Sequence, residues 1–512
     1  MTTAIVVGGG SAGSVVARRL VDAGVRVTLL EAGGEDTNPA IHDPARQGEL
    51  WHSADDWDYR TVPQQHAAGR RLHLPRGRVL GGSHALNAMI WVRGAAADFD
   101  HWAELGNEGW SWQDVLPVYR DIEAYSGAPS PLRGTDGPLC VEDGYPLDPI
   151  QEAIVAAAVE EGLEHNPDYN GDHLDGVSQQ QVTLRDGRRV NTWTAYLQPV
   201  RDRLTIETGC HVHSVIVEDG RAVGVRYRAD GEDRELRADE VVLAAGALDS
   251  PAILLRSGIG PADELAALGI DVVRDAPGVG RNLHDHLLAP VVFRTTERPV
   301  GPPRSGVSVT QTHLFWRSRP DLEVPDTQPI HFSVPMYGEV LEPVGDDGFS
   351  LMAGIVSPRS RGALTLSGPG LDDPVRIDLQ ALADPEDVRA LVASVRQLRS
   401  IGARPALVEG WGAEEVYPGP GVSDDELEDY VRRTVVTYHH QVGTCRMGVD
   451  EDAVVDPRLR VHGIEHLRVV DASVMPRITT GNTNAPSVLI GEQGARFLLA
   501  DVGALGADER AA

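Results

Sequence analysis

The residues that could do chemistry begin at the N-terminus, where Gly8-x-Gly10-x-x-Gly13 separates a buried-strand run, Ala4-Ile-Val-Val7, from a helical run, Ser14 to Ala23. Glycines at this spacing make a tight turn and let backbone approach a pyrophosphate, while a helix N-terminus near Ser11 offers it free N–H groups. Gly8, Gly10, Ser11, Ala12 and Gly13 are the expected cradle. A second strand, Val25 to Leu30, ends in Glu31, eighteen residues after Gly13 and next to Ala32. A carboxylate at that tip accepts from ribose hydroxyls and disfavours a 2′-phosphate. Together these features read as a dinucleotide-binding β-α-β unit, and they leave NAD and FAD both open.

Other groupings raise metal chemistry and then weaken it. His211 and His213 share one face of an expected strand, and His284 and His286 flank Asp285, but neither pair has the further ligands of a closed site. No metal is expected. The chain also contains no lysine, so all 46 basic residues are arginines, which removes Schiff-base, pyridoxal and Walker-lysine chemistry.

Those 46 cations stand against 76 acidic residues, a formal charge of −30 over 512 residues. Such a field repels nucleic acid and anionic membrane, so a small-molecule substrate is the expected partner. Oligomeric state is left open. The three cysteines, Cys140, Cys210 and Cys445, are odd in number and far apart, which suits reduced thiols and a cytoplasmic setting. The N-terminus lacks a cationic leader, and no apolar run approaches the about 18 residues of a membrane span.

The length implies more than one ordinary core. Trp51 to Trp112, rich in Gly, Arg and Trp, reads as extended loops packed over something. Helices are expected at Pro149–Glu164, Pro385–Ile401, Ser423–Thr434 and Ser487–Ala500. Strands are expected within Leu204–Tyr227, Arg234–Ala245 and Leu467–Val470, and Arg294 to Leu366 carries short runs that read as an antiparallel sheet. The tail after Gly503 reads as dispensable.

Four further segments carry a resemblance. Gly77-Arg-Val-Leu-Gly-Gly-Ser-His-Ala-Leu-Asn-Ala-Met-Ile-Trp-Val-Arg-Gly94 strongly resembles the first signature of the glucose-methanol-choline (GMC) flavin oxidoreductases, the group of choline dehydrogenases and alcohol oxidases. Similar to later signatures are Gly246 to Gly260, Tyr438-His-His-Gln-Val-Gly-Thr-Cys-Arg-Met-Gly448, and Leu467 to Pro476 with Gly481-Asn-Thr-Asn-Ala-Pro486. They lie in the family's order and span nearly the whole chain. The resemblance implies an α/β, GMC-type fold with a Rossmann-type FAD-binding domain in separated pieces, 1–148, 195–293 and 432–512. A smaller substrate domain, 149–194 and 294–431, would be built on an antiparallel sheet.

The same resemblance implies FAD as cofactor, approached by Gly81, Gly82 and Asn87, with Asp471 and Ala472 near pyrophosphate and ribityl chain and Asn484 under the ring. Val212 is either an adenine contact or a core strand residue. His440 is implied as general base and Asn482 as donor to the substrate oxygen, with Gln441 replacing the family's Pro or Gly. His439, its neighbour on a strand, should face away. His84 replaces a small family residue, and the flavin-linking histidine of choline-oxidase relatives aligns two positions later, at Leu86. Non-covalent FAD is expected, with a link through His84 as the alternative. The implied activity is oxidation of a primary, or a secondary, alcohol to its carbonyl, with electrons passing to O2 or another acceptor. The other activity the family implies is cyanohydrin cleavage by a flavin-containing hydroxynitrile lyase. The acid that holds choline's ammonium aligns near Val309, an apolar residue.

Overall fold

A computed structural model describes residues 2–345 and 347–503. The N-terminal unit is β1 (Thr3–Val7), α1 (Ser11–Asp22) and β2 (Arg26–Leu30), two buried strands paired in parallel through a helix. The continuous run Ala4-Ile-Val-Val7 is buried on both faces, as a parallel sheet covered by helices requires, and β2 buries Val27, Leu29 and Leu30 beside it. The sheet has five strands in the order Thr205–Glu207, β2, β1, Glu240–Leu243, Leu467–Val469. The chain therefore returns to it from three distant regions. The helix Asn484–Asp501 packs along α1 and completes this layer.

A second sheet of seven strands is antiparallel. Its spine is Leu287–Thr295, paired from 287 to 294 with Gly348–Ile355, which continues through Ile330–Phe332 and Thr310–Phe315 to Gly176–Gln179. The boundary expected at 293/294 falls within Leu287–Thr295, a strand that pairs in this sheet from Leu287 onward. The helix Pro385–Gly402 covers one of its faces through Val388, Leu391, Val395 and Leu398, spaced at one apolar stripe.

Two expectations for this scaffold change. Within the Trp51–Trp112 stretch, Ala96–Glu104 is a helix that buries Phe99 and Trp102. The last helix begins at Asn484 rather than Ser487. Residues 504–512, the tail read as dispensable, lie outside the described residues. The three cysteines are unpaired, and among the described residues no helix is long and apolar enough to cross a membrane.

Candidate active site

One cavity of about 890 Å³ lies between the two sheets, and it joins the glycine loop at one end to the second sheet at the other. At the first end Gly8, Gly10, Ser11 and Ala12 line it, with Glu31 and Ala32 beside them. Gly10 caps α1 without any side-chain bond, so the first N–H groups of the helix remain open toward the cavity. Gly8 has φ of 99°, and a side chain at Gly82 would stand 2.7 Å from the Cα of Gly10, so two loops meet backbone to backbone. Gly13 and Gly81 are not on the wall. A Cβ on Gly13 would lie 2.0 Å from the carbonyl oxygen of Gly8, so this glycine serves close helix–strand contact.

Glu31 accepts N–H bonds from Gly9 and Gly33, both at 2.8 Å, and burial raises its pKa to about 7 against those bonds. Val212, buried in the strand His211–Glu218, is both core and cavity wall. Asp471 and Ala472 border the middle of the cavity. Asp471 accepts from the N–H of Gly246 at 2.9 Å and of Ser473 at 2.8 Å, pinning two turns together. Asn484 donates to Ser11 Oγ at 2.9 Å. Asn87 also lies on the wall, where the buried Arg189 donates to its side chain at 2.9 Å and its carbonyl at 2.6 Å. An uncapped helix N-terminus, a cradle that any Cβ would fill and a carboxylate at the second strand's tip fit a dinucleotide.

The reacting end is made of side chains. Asn482 Nδ2 donates to His440 Nε2 at 3.2 Å, and both residues line the cavity. Gln328 Nε2 donates to Asn482 Oδ1 at 2.9 Å, which fixes the amide with its nitrogen toward the imidazole. A lone pair on His440 Nε2 requires its proton on Nδ1, and His286 Nδ1 lies 3.0 Å from that atom as acceptor. The His440 ring also stacks on Tyr438, centroids 4.7 Å apart. Burial, followed by His286, His439 and Arg76, holds the His440 pKa well below its ordinary value and keeps the ring neutral.

The triplet His284-Asp285-His286 supplies the support that the sequence reading did not assign. The antiparallel bridge between His284 and Val442 runs the two segments side by side, and their His286 and His440 side chains meet across them. Asp285 accepts the His440 N–H at 2.7 Å and the Gln441 side-chain amide, and burial raises its pKa to about 7. His284 donates to the Asn282 carbonyl at 2.6 Å and accepts the Ile478 N–H at 2.9 Å, anchoring the loop that leads to Asn482. Asp98 accepts from Thr480 N–H at 2.7 Å and holds the same loop. The alternation His-Asp-His was the available signal, read only as a weak metal pair. Gln328 and Arg189 carried none.

Two imidazoles depart from expectation. His439 has φ of 67°, a left-handed residue. Three steps from 284 to 287 face five from 442 to 437, so strand alternation fails here. His439 consequently lines the cavity as well, its carbonyl bonded by Arg76 and its Nδ1 by Thr437 Oγ1 at 2.8 Å. His84 is fully buried, meets Thr183 Oγ1 at 3.0 Å and does not reach the cavity, so a flavin link through it has no geometry here.

Comparison with known proteins finds relatives along almost the whole chain. An alcohol dehydrogenase [acceptor] of Pseudomonas putida is 39% identical, covering 97% of this chain and 96% of its own. An oxygen-dependent choline dehydrogenase of Sinorhizobium medicae is 36% identical, covering 97% and 95%. The crystal structure of pyridoxine 4-oxidase from Mesorbium loti superposes with a TM-score of 0.93 at 37% identity, covering 97% of this chain and 99% of that one. Residues 2–288 and 358–491 match the two family models described as GMC oxidoreductase. The chain therefore belongs to the GMC oxidoreductase family, FAD-binding enzymes that act on alcohols.

Proposed function

We propose that this enzyme oxidises an apolar or aromatic primary alcohol to its aldehyde, with His440 as general base and Asn482 as donor to the substrate oxygen. One observation carries the reading: the His440–Asn482 pair, 3.2 Å apart, opens on the same cavity as the glycine loop. A substrate hydroxyl entering beside the pair takes over the amide N–H of Asn482 and presents its own proton to His440 Nε2. The imidazolium that results keeps its Nδ1–H on the His286 lone pair, while Asp285 holds the backbone of the same residue. Bound against Gly8–Ala12, Gly82, Asp471 and Asn484, FAD supplies the acceptor for the carbon-bound hydride.

The far wall argues for the substrate class. Leu288, Val309, Ile330, Phe332, Met336 and Met352 line it. Among the described residues the one acid on that side, Glu339, is paired with Arg60 at 3.0 Å. A quaternary ammonium finds no free carboxylate there, whereas a flat apolar ring is well matched. Pyridoxine, the named substrate of the superposed oxidase, is an aromatic primary alcohol. The relatives named above are oxidoreductases, and cyanohydrin cleavage gains no support from them.

The test is anaerobic mixing of holoenzyme with benzyl-type, furfuryl, pyridoxine-like, sugar and choline alcohols, followed by flavin absorbance. Bleaching is expected fastest with the aromatic alcohols. Fastest bleaching by choline would overturn the substrate class, and no bleaching by any alcohol would overturn the reaction. Repeating the productive reaction with O2 and with a dye separates oxidase from dehydrogenase.

A further inference from the structure

Outside the catalytic pair, the loop after Trp51 gathers four side chains that ligate metals. His52, Asp56, Asp58 and His73 each bring one ligand atom to within 4.8 Å of the others. Asp58 Oδ1 lies 2.7 Å from His52 Nδ1 and 3.1 Å from His73 Nε2, and Asp56 Oδ2 lies 3.3 Å from that same His73 nitrogen. Donors on a tetrahedron with bonds of about 2.1 Å stand about 3.4 Å apart, so a small ion could enter with little movement.

The ordinary alternative is a set of His–Asp contacts, which is met at His52 but stops short of hydrogen-bond geometry at His73. That side chain is nine-tenths buried, 10% exposed, yet its Nε2, aimed between two carboxylates, completes no hydrogen bond. A buried polar atom left this way is costly and calls for a partner. Asp56 is meanwhile fixed for ligation: the N–H groups of His52, Asp58 and Arg76 hold its carboxylate at 3.0, 3.0 and 2.9 Å. His52, exposed and stacked on the His73 ring with centroids 4.0 Å apart, is the fourth ligand. Two carboxylates balance a divalent charge, and two imidazoles select zinc-like ions over magnesium or calcium.

We infer that His52, Asp56, Asp58 and His73 bind one divalent cation of the zinc class. The ion ties the 52–58 loop to the short strand His73–Leu74. This places it on the cavity wall beside Trp51, whose ring meets His73 at 6.5 Å and His439 at 5.2 Å edge to face.

Tag-free holoenzyme is stripped with chelator, desalted, titrated calorimetrically with Zn2+ and assayed for metal content after gel filtration. One retained equivalent per chain is expected, with a raised unfolding temperature. His73→Ala and, separately, His52→Ala should lose that equivalent while keeping the flavin absorbance. Because His52 is exposed, its variant tests the site without burdening the fold. A wild-type protein that retains no zinc, or two variants that both keep the full equivalent, would overturn the site.

Discussion

The two ends of the cavity are built by opposite means. The glycine-loop end is mostly backbone: Gly8 and Gly10, the open N-terminus of α1, and Gly82 pressed against Gly10. The reacting end is side chains drawn from four separate segments, His286, Gln328, His440 and Asn482. Backbone sites tolerate almost no added atom, whereas a side-chain network degrades in steps as its members are removed. The strongest test of this contrast is Gly13→Ala. Its new methyl would meet the Gly8 carbonyl at 2.0 Å, and neither backbone segment can yield cheaply. Purified variant should carry almost no FAD, read as the flavin-to-protein absorbance ratio. Full occupancy would mean that the loop is not the rigid half.

His440→Ala examines the other half. The variant should stay yellow, since no cradle residue is touched, but anaerobic flavin reduction should slow by about 10²- to 10⁴-fold, the range of a lost general base. Undiminished reduction would assign the proton to another group. Loss of FAD together with activity would show that the two ends are one unit rather than two.

This contrast also explains what the sequence made legible. Contiguous motifs declare backbone work, so β1 and α1 read correctly from residues 4–23, and alternation revealed the strands from Leu204 onward. His440 and Asn482 came only through resemblance to the family signatures, and the structure brings them together. Gln328 and Arg189 were silent, because nothing local distinguishes a glutamine on a loop from one aimed at a distant amide. His439 was misread for a physical reason: alternation presumes extended backbone, and a left-handed residue at φ 67° breaks it. Gly13 was assigned to the cofactor by spacing and Gly81 through the resemblance; neither lines the cavity, and a Cβ on either would press on a neighbour behind the wall.

Gln328→Leu separates holding from reacting. Leucine keeps much of the volume but removes the N–H that Asn482 Oδ1 accepts at 2.9 Å, so the amide is free to turn its oxygen toward His440. Reduction should slow about tenfold, the cost of one lost hydrogen bond of about 1.4 kcal/mol. The effect should fall on the reduction rate rather than on FAD content. A variant with unchanged reduction would show that Asn482 is oriented by the substrate alone.

The smallest expected effect concerns pH. Burial first, and then His286, His439 and Arg76, depress the His440 pKa well below 6.5. A base works when neutral, and a lowered pKa moves its protonation to lower pH, so the acid limb of flavin reduction belongs below 6.5. An unshifted imidazole would be about three-quarters protonated at pH 6, a roughly fourfold loss. Here the rate at pH 6 should stay within about twofold of that at pH 8. Asp285, raised to about 7 by burial, titrates inside this range at the His440 backbone, so any shallow inflection near 7 should vanish in Asp285→Asn while the lower limb remains. A full acid limb centred at or above 6.5 in both proteins would mean that His440 is solvated like a surface histidine when the enzyme works. The side-chain end would then be looser than its hydrogen bonds indicate.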